Sequence, residues 1–234
     1  MTEKFYSIPE EVINKEKEIE FYLPCYCFVL FNRTYADEMV MTKKYLYQFL
    51  RIKRANIKER VDYAFQQVLN DFTFSNITFS SVNLNELIKV DIDVKKLKHK
   101  KLFAKIYIDD YKKLNNCNEN MTTFKTMIEV LCYYRLKMLK RNDDRTPPIL
   151  YKYLIEISDD LNLPYTTINH VLKELEKLEI IKLYRMKNKK TPKSYITGKL
   201  IIYDFINRDD VYSQEEILTM SIEYINKKYK EAIL

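Results

Sequence analysis

The amino-acid sequence predicts a mainly α-helical fold with small β-ribbons, an α+β chain of two units and a closing C-terminal helix. Three observations carry this. A single glycine, Gly198, stands in 234 residues, where average usage of roughly 7% would supply about 16. Tight hairpins recruit glycine for positive φ, so a turn-rich β-sandwich is disfavoured. Apolar residues recur at helical spacing through long stretches, and only short runs are β-branched and aromatic. With 47% hydrophobic and 31% charged residues the chain has the apolar content of a folded protein, and its length favours two units over one.

Residues 1–110 read as the first unit with an N-terminal extension. YLPCYCFVLFN offers an apolar helix, Thr42 caps a second, and a third starts near Asn56 with Ile57, Val61, Ala64, Phe65 and Val68 inward. FTFSNITFSSV and LIKVDIDV read as β-like or irregular, followed by the basic run KKLKHKK and by LFAKIYIDDY. The polar segment KKLNNCNENM marks a junction at 111–121.

The second unit is expected over 122–206. In TFKTMIEVLCYYRLKMLKR, Met127, Leu131, Tyr134 and Met138 recur at steps of four, three and four, predicting a long amphipathic helix capped by Thr122 or Thr123. Pro147 and Pro148 suit the first turn of a helix carrying Leu150, Leu154, Ile157 and Leu161, which ends near Asn162. After Pro164, Thr166 or Thr167 caps or opens another helix, whose inward face is Ile168, Val171, Leu172, Leu175 and Leu178. Two β-type runs, IIKLYRM and YITGKLIIYDF, flank the basic loop KNKKTPKS. Residues 207–234 close the chain with an amphipathic helix that packs on the core or on a second subunit.

SDDLNLPYTTINHVLKELEKLEIIKLYR, from Ser158 to Arg185, resembles the winged helix-turn-helix superfamily of DNA-binding domains. With its flanking elements over 122–206 the pattern covers about a third of the chain, and the earlier segment repeats its order of elements. Members of that superfamily often hold glycine in the turn and after the recognition helix. Asn162 and Glu179 stand there instead.

The resemblance directs attention to where the net charge of +7 sits. Lys187, Lys189, Lys190 and Lys193, flanked by Lys182, Arg185 and Lys199, form a basic wing suited to phosphates. On the recognition helix the outward candidates are Tyr165, Thr166, Thr167, Asn169, His170 and Lys173, residue types able to read major-groove edges. The first unit's set is Asn56, Lys58, Glu59, Arg60 and Tyr63, with Lys43, Lys44, Arg51, Lys53 and Arg54 nearby. Its wing would be Lys95, Lys96, Lys98, Lys100 and Lys101.

Catalytic patterns are sparse. One glycine excludes phosphate-cradling and dinucleotide loops. VDIDV places Asp91 and Asp93 on one strand face, and IYIDDY superficially resembles a polymerase palm turn, but no third acid accompanies them. His99 and His170 lack adjacent metal ligands, and Cys25, Cys27, Cys117 and Cys132 have neither zinc nor redox spacing, so reduced and mostly buried thiols are expected. The expected protein is therefore a non-enzymatic double-stranded DNA binder needing neither cofactor nor metal. No window offers about 18 uninterrupted apolar residues, so a cytoplasmic location without membrane contact is expected.

The tandem arrangement resembles the winged-helix replication initiators of plasmids and other mobile elements. That resemblance implies binding to origin repeats and recruitment of host replication proteins. A transcriptional regulator gripping an operator as a homodimer, and a protein-interaction module on the same scaffold, are the competing readings. A metal-dependent nucleotidyl transferase is the enzymatic one.

Overall fold

A computed structural model of the protein describes residues 5–74, 76–97, 102–138, 148–185, 199–206 and 212–231. The fold is mixed α and β with small antiparallel sheets, and the chain divides into two units, Met1–Leu136 and Lys137–Leu234.

The first unit runs β1 (Phe5–Pro9), α1 (Glu10–Lys15), α2 (Tyr22–Asn32), β2 (Glu38–Thr42), α3 (Lys43–Phe49), α4 (Ala55–Phe72), a 3-10 turn (Phe79–Ser81), β3 (Leu87–Asp91), α5 (Val94–Leu97), β4 (Phe103–Tyr107), α6 (Ile108–Asn116) and α7 (Met121–Lys137). Helix α2 is its centre. Every residue from Tyr22 to Leu30 is buried, as befits a helix apolar all round. The Thr42 hydroxyl accepts from the Tyr45 N–H at 3.1 Å and caps α3 as expected. Helix α4 buries Val61, Ala64, Phe65 and Val68, the expected face. Strand β2 pairs antiparallel with β3, from Glu38 opposite Asp91 to Thr42 opposite Leu87, so the α3–α4 pair lies between two paired strands in the chain. Strand β1 pairs with β4.

Helix α7 departs from the amphipathic expectation. Residues on all its sides are buried, including Thr126, Glu129 and Arg135. The charges are accommodated by partners: Lys125 Nζ lies 3.1 Å from Glu16 and 3.2 Å from Glu129. Its cap is Asn120, whose Oδ1 accepts from the Thr123 N–H at 3.0 Å, and neither Thr122 nor Thr123 serves. Helix α7 belongs to the first unit up to Leu136, and the segment 111–121 is the end of α6 and the loop into α7.

Glu16 holds the entry to α2. Its carboxylate accepts the N–H groups of Phe21 at 2.8 Å and Leu23 at 2.7 Å, donors that the first turn leaves unpaired. Burial, opposed by Lys125 and reinforced by Glu129, pushes the Glu16 carboxyl up to about 7. A folded-state value above the unfolded one means the folded chain holds the extra proton. The contribution is therefore present at low pH and lost as pH rises through about 7. Urea denaturation of the parent should show stability rising from pH 8 to pH 6, with a smaller rise in Glu16→Gln.

The second unit comprises β5 (Leu150–Tyr153), α8 (Leu154–Leu161), α9 (Tyr165–Lys177), β6 (Ile181–Arg185), β7 (Lys199–Asp204) and α10 (Gln214–Glu231). Its sheet is antiparallel in the order β5-β7-β6, with Leu150 opposite Ile202 and Arg185 opposite Leu200. Residues 150–153, expected as helix, are strand. Leu150 and Leu154 share a helical spacing, but Ile149 joins a buried cluster with Ile201, Tyr203, Ile217 and Ile225, and that burial favours the paired strand. The helix starts only at Leu154, where the Glu156 carboxylate accepts the Tyr153 N–H at 2.6 Å. Pro147 lies outside the described residues.

Helix α9 begins after Pro164, with neither Thr166 nor Thr167 as its cap. Ile168, Val171, Leu172 and Leu175 are fully buried, and Leu178 is half-buried. Helix α10 buries Ile217, Ser221 and Ile225 and joins the second unit's core.

The two positions lacking glycine both adopt left-handed backbone, Asn162 at φ 53° and Glu179 at φ 54°. Asn tolerates that region, whereas Glu strains its Cβ against the following carbonyl. Glu179→Gly should raise the second unit's stability by about 1 kcal/mol, because relief of strain outweighs glycine's entropy. Chemical denaturation checks it. Gly198 lies outside the described residues.

Candidate nucleic-acid interface

The second unit assembles its surface on α9. Ile157 of α8 is buried, and the turn into α9 is fixed by the Ser158 hydroxyl, which donates to the Leu163 carbonyl at 2.5 Å, and by left-handed Asn162. With its apolar face buried, α9 turns Thr166, His170, Lys173 and Lys177 outward at a four, three, four spacing. Tyr165 stands 42% exposed at its start, while Thr167 and Asn169 are half-buried.

Asn169 and Arg185, expected from the sequence as separate DNA contacts, touch each other: the Arg185 guanidinium donates to Asn169 Oδ1 at 2.5 Å. This bond sets the end of β6 beside the second turn of α9. Because Arg185 faces Leu200, the chain leaves β6 and re-enters β7 at one end of the sheet. Lys187, Lys189, Lys190 and Lys193 occur in that connection and lie outside the described residues. The flanking cations are seated on rings, Lys182 4.8 Å from Phe205 and Lys199 4.6 Å from Tyr151.

In the first unit several of the expected residues are engaged within the fold. Lys43 is only 6% exposed, pairs with Asp62 at 2.9 Å and donates to the Ser80 carbonyl at 3.3 Å. It fastens α3 to α4 from a buried position. Lys58 is half-buried, with Nζ 5.3 Å over the Tyr47 ring. Arg51, at φ 59°, donates to the carbonyls of Glu119 at 2.7 Å and Leu114 at 3.1 Å, so it joins two loops. Lys44, Arg54, Asn56 and Arg60 are exposed, though Arg60 meets Glu20. Lys53 and Arg54 rim a cavity of about 730 Å³ at the start of α4.

The run 95–101 does not link two strands of one sheet, since β3 pairs with β2 and β4 with β1. The expected first wing therefore has a different topology, in which Lys95 and Lys96 are exposed on α5. Lys98, Lys100 and Lys101 lie outside the described residues.

Neither carboxylate motif forms a pair. Asp91 ends β3 exposed, whereas Asp93 is buried and accepts the Lys95 N–H at 3.0 Å as the cap of α5. Asp109 is exposed beside Lys112, while Asp110 is 1% exposed and paired with Arg135 at 2.6 Å. Among the described residues, no three His, Cys, Asp or Glu side chains gather as a metal site. Cys25, Cys27 and Cys132 are buried and Cys117 half-buried, all as thiols, and burial pushes those of Cys25 and Cys27 up. No helix among the described residues is long and apolar enough to cross a membrane.

Comparison with known proteins adds no relative. No family model matches the chain, and neither does any curated protein.

Proposed function

We propose that the protein binds double-stranded DNA, with α8, α9 and the β5-β7-β6 sheet acting as a winged helix-turn-helix. The Arg185–Asn169 bond carries this reading. It sets the origin of a connection holding four lysines beside the exposed stripe of α9. In this mechanism Thr166, His170 and Lys173 meet base edges in the major groove, and the lysines of 187–193 attract phosphates. The protein acts by binding and carries out no chemical step.

The first unit supports a second contact. Its helix pair likewise falls between two strands that pair, and Arg54 and Asn56 are exposed at the start of α4. Two readers on one chain suit a repeated site, the arrangement of a replication initiator, which would recruit host replication proteins.

Duplex affinity measured against salt tests the reading. The logarithm of affinity should fall linearly with that of salt, at about 0.9 per phosphate neutralised. Lys→Gln changes at 187, 189, 190 and 193 should flatten the slope by about one for each phosphate no longer met. Absence of duplex affinity at low salt overturns the proposal. Selection from random duplexes separates its forms: iterated direct repeats support an initiator, and one palindrome supports a dimeric regulator.

A further inference from the structure

The β1·β4 ribbon carries an aromatic surface that duplex binding does not use. Its register puts Phe5 opposite Tyr107, Ser7 opposite Lys105 and Pro9 opposite Phe103, so these six share one face. The alternate residues Ile8, Ala104 and Ile106 are buried beneath it. Phe5 is 41% and Phe103 37% exposed, large apolar rings on a ribbon face where polar residues are the rule.

The rings are mutually ordered. Phe5 and Phe103 lie nearly parallel, 7° apart with centroids at 6.4 Å, and Tyr107 meets Phe5 edge-on at 6.0 Å. The guanidinium of buried Arg135 supports the Tyr107 ring from 5.0 Å. Lys105 extends its ammonium to 4.7 Å from the Phe5 centroid. None of the six residues is acidic, and Lys105 is the one charged residue among them. The β2·β3 ribbon differs: there two acids, Glu38 and Asp91, outnumber Lys89, which lies 2.7 Å from Glu38.

The geometry points to a stacking platform for unpaired nucleic acid: bases of a single strand lie on Phe5 and Phe103 while Lys105 meets the backbone. Aromatic faces accept any base, and a face whose one charged side chain is a lysine suits a polyanion over an apolar peptide or a second copy of this chain. In a duplex the base faces are already stacked, so the occupant is single-stranded. This rests on the first unit alone and stands apart from the duplex reading.

Polarisation with the full-length protein tests it, using a labelled thymidine oligomer of about a dozen nucleotides, an abasic strand of equal length and a duplex. Phe5→Ala with Phe103→Ala should weaken oligomer binding about a hundredfold, since removing each ring costs about tenfold. Phe5→Tyr with Phe103→Tyr should keep it within a few-fold. The abasic strand should bind parent and alanine variant equally weakly, and duplex affinity should be the same in both. Failure of the parent to bind duplex alone defeats the duplex proposal and leaves the platform standing. The platform is overturned if the parent ignores the oligomer at low salt, if the abasic strand binds as well, or if the alanine variant keeps full affinity. It is equally overturned if sedimentation shows a dimer that the alanine changes dissociate while oligomer affinity stays.

Discussion

A protein carrying Thr166→Ala, His170→Ala and Lys173→Ala together will bind its selected duplex at least about a hundredfold more weakly than the parent, since each base-edge contact is worth about 1–3 kcal/mol. All three side chains project from α9 away from its buried face, so the core packing of the second unit is untouched. Alanine is the best helix former, and the thermal midpoint should hold or rise slightly. Competition binding against random duplex provides the contrast. Specific affinity should collapse while sequence-independent affinity falls only by the share of Lys173. Equal losses on both would assign α9 a purely electrostatic part.

Arg135→Ala is expected to cost the first unit about 3–5 kcal/mol, read by urea denaturation, because a lone carboxylate remains in the interior. Arg135 and Asp110 are each 2% exposed at the side chain, and the guanidinium also donates to the Lys105 carbonyl at 2.8 Å. Asp110 accepts the Tyr107 N–H at 3.1 Å and so opens α6 as well. Replacing both partners, as Asp110→Asn with Arg135→Met, should recover much of the loss, since a neutral pair no longer strands a charge. If Arg135→Ala proved neutral, the IYIDDY carboxylates would regain standing as more than scaffold.

Local periodicity made the centre of the second unit legible. Ile168, Val171, Leu172 and Leu175 announced α9, and Tyr165, Thr166, His170 and Lys173 are exposed as expected, whereas Thr167 and Asn169 are half-buried. Thr42 announced α3 through its capping chemistry. Strands β1, β2 and β5 were illegible, because each has at most five residues and pairs with a strand distant in sequence. Leu150 fitted a helix as well as a strand until its partner Ile202 was in place. Charge was legible as quantity and not as direction: Lys43 and Lys44 are neighbours, one inside against Asp62 and the other in solvent. The Arg185–Asn169 bond joins residues on different elements and leaves no periodic trace.

Five described residues with a Cβ take left-handed turns: Phe21, Asp37, Arg51, Asn162 and Glu179. Phe21 is buried and Arg51 is committed to the end of α6 and the loop that follows it, so both side chains hold contacts that glycine would remove. Asp37 and Asn162 are residue types that visit this region at little cost, so Glu179 is the position open to exchange for glycine, at a gain of about 2–4 °C in a chain of this size. It lies off the exposed stripe of α9. A laboratory seeking a hardier version for crystals or long incubations therefore has, at Glu179, an address that leaves its proposed reading surface untouched.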